Sequence, residues 1–345
     1  KLKYLNDETK KMLSALFSAE ALPSHDYLFN LADRVSSVLE NEKTSYRPEA
    51  EDGTAGGLLD FTETDVSDLP VLIVPDLHAR AFFLSHILNL RLPEDRFPEN
   101  PTVLEALAQK AIRVICVGDL LHSELRGRDR WLSALEDFKN GNFTGDAMKS
   151  EMQEGLTLLS AVMELKCAFP EVFHVLKGNH ENIMNERGEG NFPFRKFADE
   201  GEMVFRFMQD FYGDDVLMVV SSFEKSLPLL AAFPNCVISH AEPQTYYSKS
   251  RIINGLHDES LIQGLTWTPN DEADEDSCKR MADELTGNPD AVYFGGHRPI
   301  SGTCTFRQGV KYIQIHNPIR EFVTLIMTGR IFDPDTDIIN AGSNS

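Results

Sequence analysis

The chain has 345 residues, 42% of them hydrophobic, enough for one large domain or two ordinary ones with a substantial core. Its 33 basic and 54 acidic side chains leave a formal charge of −21, which excludes general nucleic-acid and anionic-membrane binding because both need a positive footprint. Five cysteines lie scattered without close spacing and no apolar run reaches the length of a membrane span, so a reducing, cytoplasmic setting is expected.

Residues 1–69 are expected to form a helical extension and a linker. Leu13, Leu16 and Phe17, then Tyr27, Leu28, Leu31, Val35, Val38 and Leu39, recur at helical spacing. Asp7 and Ser24 are candidate N-caps. Residues 44–69 are polar and contain glycine, and read as a surface loop.

From about residue 70 the rhythm becomes strand, polar motif, helix. VLIV runs into Asp76 and His78, and a helix is expected from Phe82 to Leu90. RVICV runs into Asp119 and His122, followed by a charged loop, SELRGRDRW, and a long helix from Asp146 to Ala168. FHVLK runs into Gly178, Asn179, His180 and Glu181. A further helix is expected over 198–212. Beyond residue 215 the chain favours strands: VLMVV, LPLLAAF, CVIS ending on His240, AVYF leading to His297, VKYIQIH and EFVTLIM. An acidic loop from Asp271 to Asp276 and a helix near 278–286 interrupt them. So many strands with helices between them fit an α/β architecture with two packed sheets.

Five apolar runs thus end on a candidate metal ligand. Ligands in open α/β sheets gather outside the carboxyl ends of the strands, so the pattern builds one pocket from distant segments of the chain. Asn179, a rare kind of ligand, makes the G-N-H-E block the most specific of the motifs. Carboxylate, imidazole and amide without thiolate suit Mn²⁺, Fe²⁺ or Zn²⁺. Six such ligands can hold two ions about 3.5–4 Å apart with one carboxylate between them, and a water held there is largely hydroxide at neutral pH.

The series D-L-H, G-D-x-x-H, G-N-H-E, H and G-H resembles the calcineurin-like metallophosphoesterase superfamily. FPEVFHVLKGNHENI and SLPLLAAFPNCVISHAEP, with GLTWTPN, FGGHRPISG and YIQIHNP behind them, are similar to its serine/threonine phosphoprotein phosphatase branch. The resemblance covers residues 70–327. It implies two packed mixed sheets flanked by helices, a metallophosphoesterase domain at 70–330 and a C-terminal tail at 331–345. It assigns Asp76 and His78 to a first metal, Asp119 to both, and Asn179, His240 and His297 to the pair. His180 becomes the general acid and Glu181 its support. The implied activity is phosphomonoester hydrolysis by a metal-bridging hydroxide, on a phosphoprotein or small phosphoester. A dinucleoside polyphosphate or phosphodiester hydrolase is the alternative, and an inactive binding protein the third.

The sequence departs from that branch at Pro75 and Ala79, which stand for glycines, and at His122 and Ser123, which stand for the Asp and Arg of G-D-x-x-D-R-G. His122 is expected beside His180. The missing arginine removes the usual bidentate phosphate clamp. Arg298 is the first substitute, with Arg126, Arg128, Arg130 and Arg320 behind it. His86, His174, His257 and His316, and Trp131 and Trp267, are expected as packing or surface residues.

Overall fold

The computed structural model describes residues 2–63 and 69–344. Eleven strands occur among them: β1 (Leu58–Asp60), β2 (Val71–Val74), β3 (Arg113–Cys116), β4 (Phe173–Val175), β5 (Leu230–Phe233), β6 (Cys236–Ser239), β7 (Val292–Gly295), β8 (Thr305–Arg307), β9 (Tyr312–Gln314), β10 (Phe322–Ile326) and β11 (Ile338–Asn340). They form two mixed sheets, ordered β11-β10-β2-β3-β4 and β1-β5-β6-β7-β9-β8.

Alternation along the strands decides which residues lie between the sheets. Val71, Ile73, Ile115 and Val117 join Ile238, Phe294 and Ile313 in one buried layer. Their neighbours Leu72, Val74, Val114 and Cys116 face a large cluster with the helices that include His25–Glu40 and Asp146–Ala168. Val237, Tyr293 and Tyr312 face a smaller cluster that includes Met281 and Leu285 of helix Ser277–Thr286. Each sheet contains three consecutive parallel strands, β2-β3-β4 in one and β6-β7-β9 in the other.

Several elements differ from the sequence expectation. Ser24 caps helix His25–Glu40 by accepting from the Tyr27 amide, whereas Asp7 lies inside helix Leu2–Phe17 rather than before it. The expected linker carries β1, which pairs parallel with β5; its residues 64–68 lie outside the described residues. VLMVV is part of helix Asp214–Lys225, because Val216, Leu217, Val220 and Phe223 bury one helical face and Asp214 and Asp215 favour the positive helix start. The charged stretch after His122 forms a short turn and then helix Arg128–Lys139, whose Trp131 and Ala134 are buried. The tail adds β11 to the edge of β10.

The N-terminal extension is fastened by a buried charged cluster. Glu42 receives Arg47 at 2.6 Å and Lys166 at 2.5 Å, with both carboxylate oxygens engaged. Lys166 also lies 3.1 Å from Nδ1 of His174 on β4. Burial by itself would raise the Glu42 carboxyl; Lys166, His174 and Arg47 outweigh it and hold it well below the usual carboxylate range. Burial and the Lys166 ammonium push His174 down to about 4.

Removing one partner from a buried ion pair strands the other, so Glu42→Gln is expected to cost roughly 3–5 kcal/mol in urea unfolding. His174 titrates near 6.5 unfolded and near 4 folded. The unfolded chain therefore takes up the proton first, and stability present above pH 6.5 is lost as pH falls toward 4. Wild type minus His174→Gln should isolate a step on the order of 3 kcal/mol across that window.

Candidate metal centre

Each sheet has three parallel strands, and the residues just past their carboxyl ends meet across the two sheets. β2 delivers Asp76 and His78, β3 Asp119, β4 Asn179 and His180, β6 His240, β7 His297, and β9 His316. Asp76, His78, Asp119, Asn179 and His240 are all buried. Among the described residues, three groups of side chains could each hold a metal ion: Asp76–His78–His316, His78–Asp119–His180 and Asp76–Asp119–His240.

Hydrogen bonds orient each ring. His78 shares Nδ1 with the His122 carbonyl at 3.1 Å, leaving Nε2 3.5 Å from Asp119 and 3.8 Å from Asp76. His240 shares Nδ1 with the Val117 carbonyl at 3.0 Å, leaving Nε2 2.9 Å from Asn179 Oδ1 and 3.4 Å from Asp119. His297 Nδ1 meets the same Asn179 oxygen at 2.9 Å, and its amide donates to Asp76. His316 places Nε2 3.0 Å from Glu124 and leaves Nδ1 buried, without a hydrogen-bond partner, 4.0 Å from Asp76. A carboxylate behind an imidazole is the usual arrangement around a metal-binding histidine.

The backbone is bent hard to achieve this. His78, Ala79, Asp119, His122 and His297 all adopt φ between 42° and 64°, which costs about 1–3 kcal/mol each outside glycine. Glu181 holds one of these bends by accepting from the amides of Asp119, Leu120 and Gly178 at 2.7–2.9 Å.

The donor set fits divalent cations. Burial and the neighbouring carboxylates of Asp76 and Glu181 push the Asp119 carboxyl well above its ordinary range. Burial lowers the imidazoles of His78, to about 4, and of His180, His240 and His297. Crowded carboxylates beside neutral imidazoles, with a buried lone donor on His316, are what a cation would satisfy.

His180 stands slightly apart. Its amide donates to Asp119 at 2.9 Å, and its Nδ1 meets His122 Nδ1 at 2.8 Å, as the sequence anticipates. Its Nε2 lies 3.7 Å from Asp119 and Phe194 packs against its ring. A cavity of about 290 Å³ opens here, lined by Asn179, His180, His297, Trp267, Arg195, Lys196 and Arg298 among others.

The arginines sort differently from the sequence expectation. Arg298 lines that cavity and is exposed. Arg126 pairs with Glu154 and lines a neighbouring groove instead. Arg128 is exposed at the start of its helix and lines neither. Arg130 is bonded to Glu151, which also takes the Ser123 hydroxyl. Lys196, 3.0 Å from Glu124, was not anticipated. Neither were Glu124, Trp267 and His316 as members of the site. His316 carried the same signal as the others, an apolar run ending on histidine. Glu124 carried none, lying in a charged stretch.

No protein-family model and no curated protein matches the chain. Among solved structures, a serine/threonine phosphatase from Saccharomyces cerevisiae with similarity to human phosphatase PP5 aligns over 96% of this chain and 94% of its own, with 12% identity and a TM-score of 0.59. A cold-active protein-tyrosine phosphatase of a psychrophilic Shewanella aligns over 79% and 80%, with 12% identity and a TM-score of 0.44. The yeast likeness establishes the architecture: this chain shares the two-sheet α/β fold of that phosphatase.

Gly296 gives a direct test of the centre. A Cβ there would overlap the Asp76 carboxylate, 2.8 Å from its Cγ. Gly296→Ala is expected to weaken metal binding about tenfold or more while far-UV circular dichroism stays native. Elemental analysis after metal loading and desalting measures the loss.

Proposed function

We propose that this chain is a metal-dependent phosphoester hydrolase acting on phosphomonoesters. The convergence of five strand ends on Asp76, His78, Asp119, Asn179, His240 and His297, with His180 beside them, carries the reading. Asp76, His78, His316 and Asp119 would hold one divalent ion, and Asp119, Asn179, His240 and His297 a second; Mn²⁺, Fe²⁺ and Zn²⁺ all suit the donors. Bound there, the ions would acidify a water and neutralise phosphate oxygens.

The protein's own groups supply the rest. Burial keeps His180 neutral in the free protein, and the negative charge of a seated phosphate would favour its protonation; protonated, it would donate through Nδ1 to the His122 ring and keep an Nε2 proton facing the cluster to pass to the leaving alkoxide. His122 thus orients the acid. Arg298 and Lys196 face the same cavity and offset the charge of the phosphate. Glu124, which lines it too, disfavours a dianion and favours the second reading, a phosphodiester or dinucleoside polyphosphate.

One panel separates these. Metal-loaded protein is offered p-nitrophenyl phosphate, its bis ester, a phosphopeptide and a dinucleoside polyphosphate. The monoesters should turn over fastest, and chelation should abolish the activity until Mn²⁺ or Zn²⁺ is returned. Hydrolysis confined to the bis ester or the polyphosphate would establish the second reading, and no hydrolysis at all would remove both.

Two substitutions probe the roles. His180→Ala should keep its metal and lose kcat by about 10²–10⁴-fold on alkyl phosphates, with a smaller loss on p-nitrophenyl phosphate, whose leaving group needs little protonation. Asp119→Asn should lower the content of both metals together. Retention of one full equivalent would show that Asp119 serves a single ion.

A further inference from the structure

A second concavity, of about 370 Å³, adjoins the metal centre. His78 and Glu124 line both spaces, so the two meet at the first metal's side of the cluster. The rest of its lining is different in kind. Phe82, Leu125, Pro318 and Ile319 supply apolar walls, with Arg80, Arg126 and Glu321 between them. Leu125 is 64% exposed and Ile319 80%. They come from distant stretches of the chain, and exposed apolar side chains gathered at one place usually mark a binding surface.

The walls are fixed rather than loose. Asn317 accepts from the amides of Ile319 and Arg320 at 2.9 and 2.8 Å and donates to the Gly302 carbonyl. Arg80 reaches from the Asn317 carbonyl to the Asp76 carbonyl, 2.6 Å away. One guanidinium therefore ties the groove wall to the first metal-ligand candidate. On the other side Arg126 is held by Glu154 and lies 5.7 Å from the Phe82 ring centre.

We propose that this groove is the subsite for the leaving group, and that the substrate is a phosphomonoester whose alcohol carries a ring within a few bonds of the phosphate. This rests on the phosphoesterase reading. With a phosphate seated among Asn179, His180 and His297, the alcohol end of the substrate can run in either of two directions: out to water past Arg195 and Lys196, or across His78 and Glu124 into the groove. A small polar alcohol gains nothing from the second. A ring gains contact with Phe82, Leu125 and Ile319 and removes their apolar surface from water. The shared edge at His78 makes the groove continuous with the reacting end of the substrate.

The experiment uses binding and turnover separately. Calorimetry compares benzylphosphonate with methylphosphonate on the metal-loaded protein, for wild type and for a Leu125→Ser/Ile319→Ser double variant. Both positions are exposed, so folding should be unaffected. Wild type is expected to bind benzylphosphonate about tenfold more tightly, and the variant to lose most of that preference while binding methylphosphonate as before. Turnover then compares cyclohexylmethyl phosphate with ethyl phosphate, whose alcohols leave with similar ease. The ratio of kcat/KM should favour the ring in wild type and fall about tenfold in the variant. Equal phosphonate affinities, or a preference the variant keeps, would overturn the subsite. A preference for apolar residues flanking a phosphoserine, with no preference for the ring, would also overturn it and make the groove a flanking-residue site. Ring-dependent phosphonate binding without hydrolysis of either ester would keep the groove and remove the phosphoesterase reading instead.

Discussion

The carboxylate of Glu181 is the interaction on which the centre depends. It accepts three amides at once, two from the loop after β3 and one from the loop after β4. Those loops carry Asp119 and Asn179, so one side chain sets the distance between them. Three buried amides left without an acceptor would each cost about 1–3 kcal/mol. Gly178 lets the loops come this close, since a Cβ there would lie 2.7 Å from the Asp119 amide and 2.8 Å from Glu181. The Lys177 ammonium, bonded at 2.6 Å to the Glu181 carbonyl, is buried beside the pair.

Asn179 performs the corresponding task between the sheets. It sits at the end of β4 in one sheet, and its side-chain oxygen meets His240 and His297 from β6 and β7 in the other. An amide oxygen can serve two imidazoles without adding charge to a site already crowded with carboxylates. The backbone strain at His78, Asp119 and His297 is tolerated because such bonds over-determine the bends. His78 and Ala79, for example, donate their amides to the Asp119 and Leu120 carbonyls at 2.8 Å.

His122 and Ser123 stand where the family resemblance would place Asp and Arg, and each has a buried partner in this structure. Ser123 turns inward to Glu151 and Arg130. His122 keeps contact with His180. Glu124 then points into the opening, where it meets His316 and Lys196. Cationic groups stand at the rim, on Arg298, Arg195 and Lys196, and an apolar groove opens beside His78. The groups that could hold metal ions are thus set by strand ends, and the cavity and groove beside them largely by the loops.

The sequence by itself determined the layered class and most of the strands, and it marked a candidate ligand at the end of five of them. Each ligand motif is contiguous with the apolar run that places it, so period-2 burial and a polar terminus suffice to read it. Asp76, His78, Asp119, Asn179, His240 and His297 were legible as candidates for that reason, His180 through the family resemblance, and His122 as the departure from it. Helix Asp214–Lys225 was misread as a strand because a β-branched run carries no short-range mark of which period its burial follows. Tertiary structure alone decided that Glu124 and Lys196 meet across 72 residues of chain, that Arg126 lines the groove rather than the cavity, and that Leu125 and Ile319 line the same groove. Those pairings are set by the loops' paths over the rim. Nothing local in a polar loop fixes where its side chains arrive, because their partners come from other strands and exist only once both sheets have packed.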